Sequence, residues 1–180
     1  MTDSLQTIYL GGGCFWCTEA VYLQVRGVVD VESGYSNGHL PNPTYELVCT
    51  GTSGHNEVVR LVYDPAVIST REVLEVFFVI HDPTSLNRQG ADTGTQYRSG
   101  IYFTTPQQQA VAQQVMAEIA ASGVYSRPLV TELLPVSNYA AAEPYHQDFF
   151  TRNPNQGYCM AVAAPKVAKF RKTFARLQKD

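Results

Sequence analysis

The strongest constraint on this chain is how the period of its apolar residues changes along the sequence. Two segments alternate with period two. In Val28–Tyr35, Val29, Val31, Ser33 and Tyr35 share one face, and Asp30 and Glu32 take the other. In Glu57–Tyr63, Glu57 shares a face with Val59, Leu61 and Tyr63. Such alternation marks half-buried strands. Elsewhere the period lengthens. Ser69-Thr70-Arg71-Glu72 has the spacing of a capping box, and the stripe Val73, Leu74, Phe77, Phe78 behind it predicts a helix. Thr7–Leu10, Tyr97–Phe103 and Val130–Leu134 read as further strands, and Cys14–Val25 and Gln107–Ala121 as helices. Val167, Phe170, Phe174 and Leu177 form the apolar stripe of a C-terminal amphipathic helix. Strands and helices alternate without strict βαβ regularity. This predicts an α/β (α+β) fold of two layers around a mixed sheet, of split βαβ or ferredoxin-like type. The 180 residues are the length of one domain, so a single domain over 1–180 is expected.

Composition narrows the function classes. A hydrophobic share of 44% with 16% charged residues excludes a disordered chain. No run approaches the ~18 apolar residues of a membrane helix. The opening MTDSLQTIYL lacks the basic start and apolar stretch of a signal peptide, so a cytoplasmic protein is expected. A net charge of −3 and a pI near 5.8 argue against a nucleic-acid footprint. The polar stretches Ser36–Tyr45 and Asp82–Gln96 are long for loops in a compact domain, and loops of that length are often functional.

The most informative segment is Gly11-Gly12-Gly13-Cys14-Phe15-Trp16-Cys17. Three glycines end a strand and let the backbone approach a ligand closely. Cys14 then falls near a helix N-terminus, where unpaired N–H groups favour a thiolate. Phe15 and Trp16 supply an apolar wall for a small group. Cys14 is therefore a candidate nucleophile rather than a packed core thiol. Cys14 and Cys17 also form a C-x-x-C, which in a cytosolic α/β chain can be a dithiol redox motif. Zinc needs four ligands. No second C-x-x-C or paired histidine motif is present, so no metal is expected. Cys49 reads as structural. His146 reads as a helix-surface or supporting histidine, and His81 as a favourable charge at a helix C-terminus. The six basic residues between Lys166 and Lys179 read as a solvated face.

Gly13-Cys14-Phe15-Trp16 resembles the active-site signature of the peptide methionine sulfoxide reductase A family. Further blocks resemble the family in its order: Ser33-Gly34-Tyr35, Gly54-His55-Asn56-Glu57-Val58-Val59, His81-Asp82-Pro83-Thr84, Asn87-Arg88-Gln89-Gly90, Asp92-Thr93-Gly94-Thr95-Gln96-Tyr97-Arg98-Ser99 and Glu143-Pro144-Tyr145-His146-Gln147. The resemblance implies thiol-dependent, cofactor-free reduction of methionine S-sulfoxide, free or protein-bound, in repair of oxidative damage. It implies Cys14 as nucleophile, Glu57 as proton source, and Tyr35 and Tyr97 as ligands of the sulfoxide oxygen. Asp92 matches a family aspartate of the substrate pocket, beside Phe15 and Trp16. Periodicity independently sets Glu57 on an apolar strand face, where burial would raise its pKa.

The same resemblance implies a sulfenic acid on Cys14 that condenses with a second thiol, and thioredoxin as reductant. Cys159 resembles a C-terminal recycling cysteine and is the expected resolving thiol; Cys17 is the alternative. In a regular helix the Cβ atoms of residues three apart lie ~5–6 Å from each other, whereas a disulfide wants ~3.5–4.5 Å. A local distortion at the helix start would close that gap. The rival readings are a general C-x-x-C disulfide oxidoreductase and a zinc- or peptide-binding module.

Overall fold

The computed structural model describes residues 5–179. In chain order the elements are β1 (Gln6–Gly11), α1 (Phe15–Tyr22), β2 (Val28–Ser36), α2 (Tyr45–Cys49), β3 (Asn56–Tyr63), α3 (Thr70–Ile80), β4 (Arg88–Gln89), β5 (Asp92–Thr93), β6 (Gly100–Phe103), α4 (Pro106–Ser122), β7 (Glu132–Pro135), β8 (Ala140–Ala141), α5 (Phe149–Arg152) and α6 (Ala164–Thr173). Six strands form one sheet in the order β7-β6-β1-β3-β2-β8. Within it the pairs β6–β1, β1–β3, β3–β2 and β2–β8 are antiparallel. The segment carrying α1 links β1 to β2 across β3, and the segment carrying α3 links β3 to β6 across β1. That is the split βαβ arrangement. β7 runs parallel to β6 and makes the sheet mixed.

Alternation assigns the two faces. Ile8 and Leu10 of β1 and Val59, Leu61 and Tyr63 of β3 are fully buried, in one cluster with Val21 and Tyr22 of α1 and Leu74 and Phe77 of α3. The Tyr22 hydroxyl donates to the Val73 carbonyl at 2.7 Å and ties α1 to α3. Tyr9 and Arg60, which lie between them, point the other way and join Glu32 in a polar layer. Tyr9 lies opposite Arg60 and Arg60 opposite Glu32 in the ladder. Arg60 pairs with Asp30 at 2.7 Å, and the Tyr139 hydroxyl donates to Glu32 at 2.6 Å. The capping box at Ser69 and Glu72 is formed in full at the start of α3.

Several local expectations are corrected. The β2–β3 register slips between Val28 and Asp30, so Val28 is buried and Val29 is turned out to solvent. Tyr97 is not on a strand. It ends a short 3-10 turn, Thr95–Tyr97, and β6 begins only at Gly100. The stretch Asp82–Gln96 contains the β4–β5 hairpin rather than being wholly irregular. α1 stops at Tyr22, because the next amides turn back onto Val21 and Tyr22 carbonyls. The C-terminal stripe spans a break. Val167 and Phe170 lie on α6, while Leu177 lies on a following 3-10 turn, and all three are buried. No helix among the described residues is long and apolar enough to cross a membrane.

Candidate active site

The site is assembled where β1 ends and α1 begins. Gly13 has φ +96°, and a Cβ there would meet the Gln89 side chain at 2.9 Å. Only glycine lets the chain turn over Gln89, which clamps Asp82 by accepting from its N–H at 2.9 Å and donating to its carbonyl. Cys14 follows as the N-cap of α1, in extended conformation (φ −60°, ψ 128°), half-buried. Its thiol hydrogen-bonds that of Cys17. Burial, the Cys17 bond and nearby Glu57 push the Cys14 thiol well above its ordinary range. A helix N-terminus alone would have lowered it; here loss of hydration outweighs the dipole. Cys17 moves the other way, lowered first by the hydrogen bond from Cys14, then by Lys166 and Tyr158 against the effect of burial.

Glu57 is 1% exposed and stands directly opposite Tyr35 in the β2–β3 ladder. One carboxyl oxygen accepts the Phe15 N–H at 3.1 Å. Burial raises its pKa to about 8, with Asp92 and Cys17 adding to the rise and the Phe15 hydrogen bond opposing it. At neutral pH it is therefore mostly a carboxylic acid. Burial also raises the pKa of the Tyr97 hydroxyl, with Glu57, Cys14, Cys49 and Asp92 adding to the rise. The Tyr35 hydroxyl donates to Glu143 at 2.8 Å, and the other Glu143 oxygen accepts the Tyr45 N–H at 2.9 Å. The Phe15 ring lies 5.7 Å from Tyr35 and 5.1 Å from His146. Trp16 stacks on Phe149 at 3.8 Å and donates its indole N–H to His146 Nδ1 at 3.0 Å. Asp92 accepts from the Tyr158 hydroxyl at 2.5 Å, and Cys17 Sγ lies 3.8 Å from the same hydroxyl. Cys14, Glu57, Tyr35, Tyr97, Phe15, Trp16 and Asp92 thus come from five separate stretches of chain to one locality.

The chain matches the family model for peptide methionine sulfoxide reductase over residues 6–178. It belongs to that family. It is 53% identical to the peptide methionine sulfoxide reductase MsrA of Polynucleobacter asymbioticus over 97% of this chain and 92% of the relative. Methionine sulfoxide reductase A of Corynebacterium diphtheriae is similar in structure, with a TM-score of 0.79 and 39% identity over 89% of this chain and 80% of that one. The fold is also shared by Mxr1 of Saccharomyces cerevisiae in complex with Trx2, at TM-score 0.56 and 24% identity, covering 83% of this chain and 88% of that one. The protein is an oxidoreductase of the MsrA type, and its reaction is the reduction of methionine sulfoxide.

Other thiols and histidines of this reductase differ from their sequence reading. Cys49 is exposed at the end of α2, where a structural thiol would be buried. Its pKa is raised, first by partial loss of hydration at the sulfur and then by Glu57 among other carboxylates. His81 carries no charge for a helix end. It is buried between the Phe77 carbonyl and the Ser99 hydroxyl, and burial lowers its pKa to about 3. Of the two readings of His146 the supporting one holds: it is buried beneath Trp16, whose indole N–H it accepts, and is not on a helix surface. Cys159 is buried in a π-helical turn, Cys159–Ala163. All four cysteines are free thiols. Among the described residues no group of three or more His, Cys, Asp or Glu is placed to hold a metal ion. Sequence reasoning missed Glu143, Tyr158 and Phe149. Glu143 lay inside a recognised family block. Tyr158 and Phe149 carried no local signal, because their partners Asp92 and Trp16 are more than sixty residues away.

Proposed function

We propose that this reductase acts on methionine S-sulfoxide, free and in proteins, through a sulfenic acid on Cys14, without a cofactor. Cys14 sulfur attacks the sulfoxide sulfur. Glu57 gives its proton to the oxygen and regains one from the Cys14 thiol. Methionine leaves as the thioether, its sulfur reduced by two electrons, and Cys14 is left as S–OH, oxidised by two. Tyr97 holds the oxygen, joined by Tyr35 when its hydroxyl turns from Glu143 to the substrate; Phe15 and Trp16 seat the methyl group, and Asp92 binds the substrate beyond the reacting sulfur. The observation that carries this reading is the buried Glu57 carboxyl. It bonds the N–H of the residue after Cys14, with a pKa near 8 that keeps its proton available.

For the second half of the cycle we place Cys17 first and Cys159 behind it. Cys14 caps α1 in extended conformation, which breaks the regular helical spacing, and its thiol already hydrogen-bonds Cys17. The electrostatic neighbour of Cys159 is Cys17. Cys17 then condenses with the sulfenic acid, releasing water. Cys159 exchanges into that disulfide, and thioredoxin, as a cytoplasmic dithiol donor, reduces it. The complex of Mxr1 with Trx2 supports a thioredoxin as partner.

The test is turnover of the two resolved methionine sulfoxide epimers with a thiol reductant. The S epimer is reduced and the R epimer is not, and folded Cys14→Ser reduces neither. Reduction of insulin disulfides without sulfoxide turnover would instead support the general dithiol oxidoreductase.

A further inference from the structure

Cys14 opens onto a cavity of about 170 Å³ whose walls include His81, Gln89, Asp92, Tyr158 and Lys166. This is smaller than the roughly 300 Å³ at which pockets for drug-sized ligands begin, and it suits the head group of one amino acid. His81 is neutral, and the Tyr158 hydroxyl keeps its proton because burial and the surrounding thiols and Asp92 raise its pKa. The charged side chains on these walls are therefore Asp92 and Lys166, of opposite sign. Asp92 has a partner in Tyr158. Lys166, half-buried on α6, has no carboxylate within ion-pair distance among the described residues, and among the lysine and arginine side chains it is the one that lines the cavity beside Cys14. A partly desolvated cation beside the reacting thiol, with its neighbouring anion already hydrogen-bonded, is a seat for an anion on the substrate.

We propose that Lys166 binds a carboxylate of the substrate, and that the reductase thereby favours oxidised methionine with a free α-carboxylate, as the free amino acid or at a chain's C-terminus. This rests on the proposed function and names a substrate class within it. Lys169 lines a neighbouring cleft together with Lys166 and His81, so the carboxylate of an acidic side chain after the methionine is the second source of the same chemistry.

The experiment compares three S-sulfoxide substrates in single turnovers: N-acetyl-methionine sulfoxide, its neutral N-methylamide, and the N-acetyl-methionine sulfoxide-glutamate diamide. Single turnover removes recycling from the measurement. The wild-type enzyme is expected to reach half its maximal rate at a roughly five- to tenfold lower concentration of the free acid than of the methylamide. The maximal rates should be similar. The ratio should fall as salt is raised, collapse toward one in Lys166→Met, and return in part in Lys166→Arg. Because the readout is a ratio within each enzyme, a general loss of activity cancels. A ratio near one in the wild type, a ratio insensitive to salt, or a ratio retained in Lys166→Met overturns the proposal while the proposed function stands. Preference for the glutamate diamide over the free acid assigns Lys166 to acidic side chains and overturns the α-carboxylate class. Failure to reduce any of the three overturns the proposed function itself.

Discussion

The Phe15 N–H points at the Glu57 carboxyl, 3.1 Å away, so the first amide of α1 and the acid of β3 are joined across 42 residues of sequence. The bond has two consequences. It holds Glu57 beside the residue that follows Cys14. It also only partly offsets the burial that raises the carboxyl to about 8. A group poised there is protonated at neutral pH and able to give that proton to a developing oxyanion.

Glu57→Gln should therefore slow single-turnover methionine release by ~10²–10⁴ while changing substrate affinity little. Glutamine still accepts from Phe15 and donates to a bound oxygen, but it supplies no proton. In the wild type the same rate should decline as pH rises through about 8, where Glu57 ionises. A near-normal single-turnover rate in Glu57→Gln would leave the proton to the tyrosines or solvent.

The same carboxyl makes stability depend on pH. Its folded pKa is raised above the ordinary 4.5, so the native state binds more protons than the unfolded chain between pH 4.5 and 8. Stability from this group is fully present below 4.5 and is lost as pH rises through 8. Urea midpoints for the wild type should fall across that window, and those of Glu57→Gln should fall less. Parallel curves for the two proteins would show that Glu57 titrates alike in both states.

Trapping of the sulfenic acid by dimedone separates the two candidate resolving thiols. Cys17→Ser should accumulate trappable Cys14 sulfenic acid after one turnover. Cys159→Ser should form its disulfide at near the normal rate and lose turnover only with thioredoxin. The reverse pattern would make Cys159 the direct resolver.

Away from the site, Ser69→Ala removes the oxygen that accepts the Glu72 amide in the capping box of α3. The expected loss is ~1 kcal/mol, a fall in Tm of about 2–4 °C for a chain of this size, with sulfoxide reduction unchanged. A thermal melt matching the wild type would mean that packing of α3 on the sheet makes the cap redundant.

What could be read from the sequence is what short-range patterning encodes. Period two set Glu57 on the same buried face as Val59, Leu61 and Tyr63, and the capping box and its stripe marked α3. The three glycines announced a turn before a half-buried cysteine, and the ordered blocks identified the family. Where patterning misled, a local geometry intervened that alternation does not specify. The β2 bulge turned Val29 out, and a 3-10 turn took Tyr97 off its strand. The folded structure decided what depends on distant segments meeting. His81 is neutral because α3 buries it against Ser99. Cys14 is raised rather than lowered because packing removes its hydration, and Trp16 meets His146 and Phe149 only when the C-terminal third folds over α1. Desolvation and long-range pairing arise from the whole packed chain, so no window of neighbouring residues contains them.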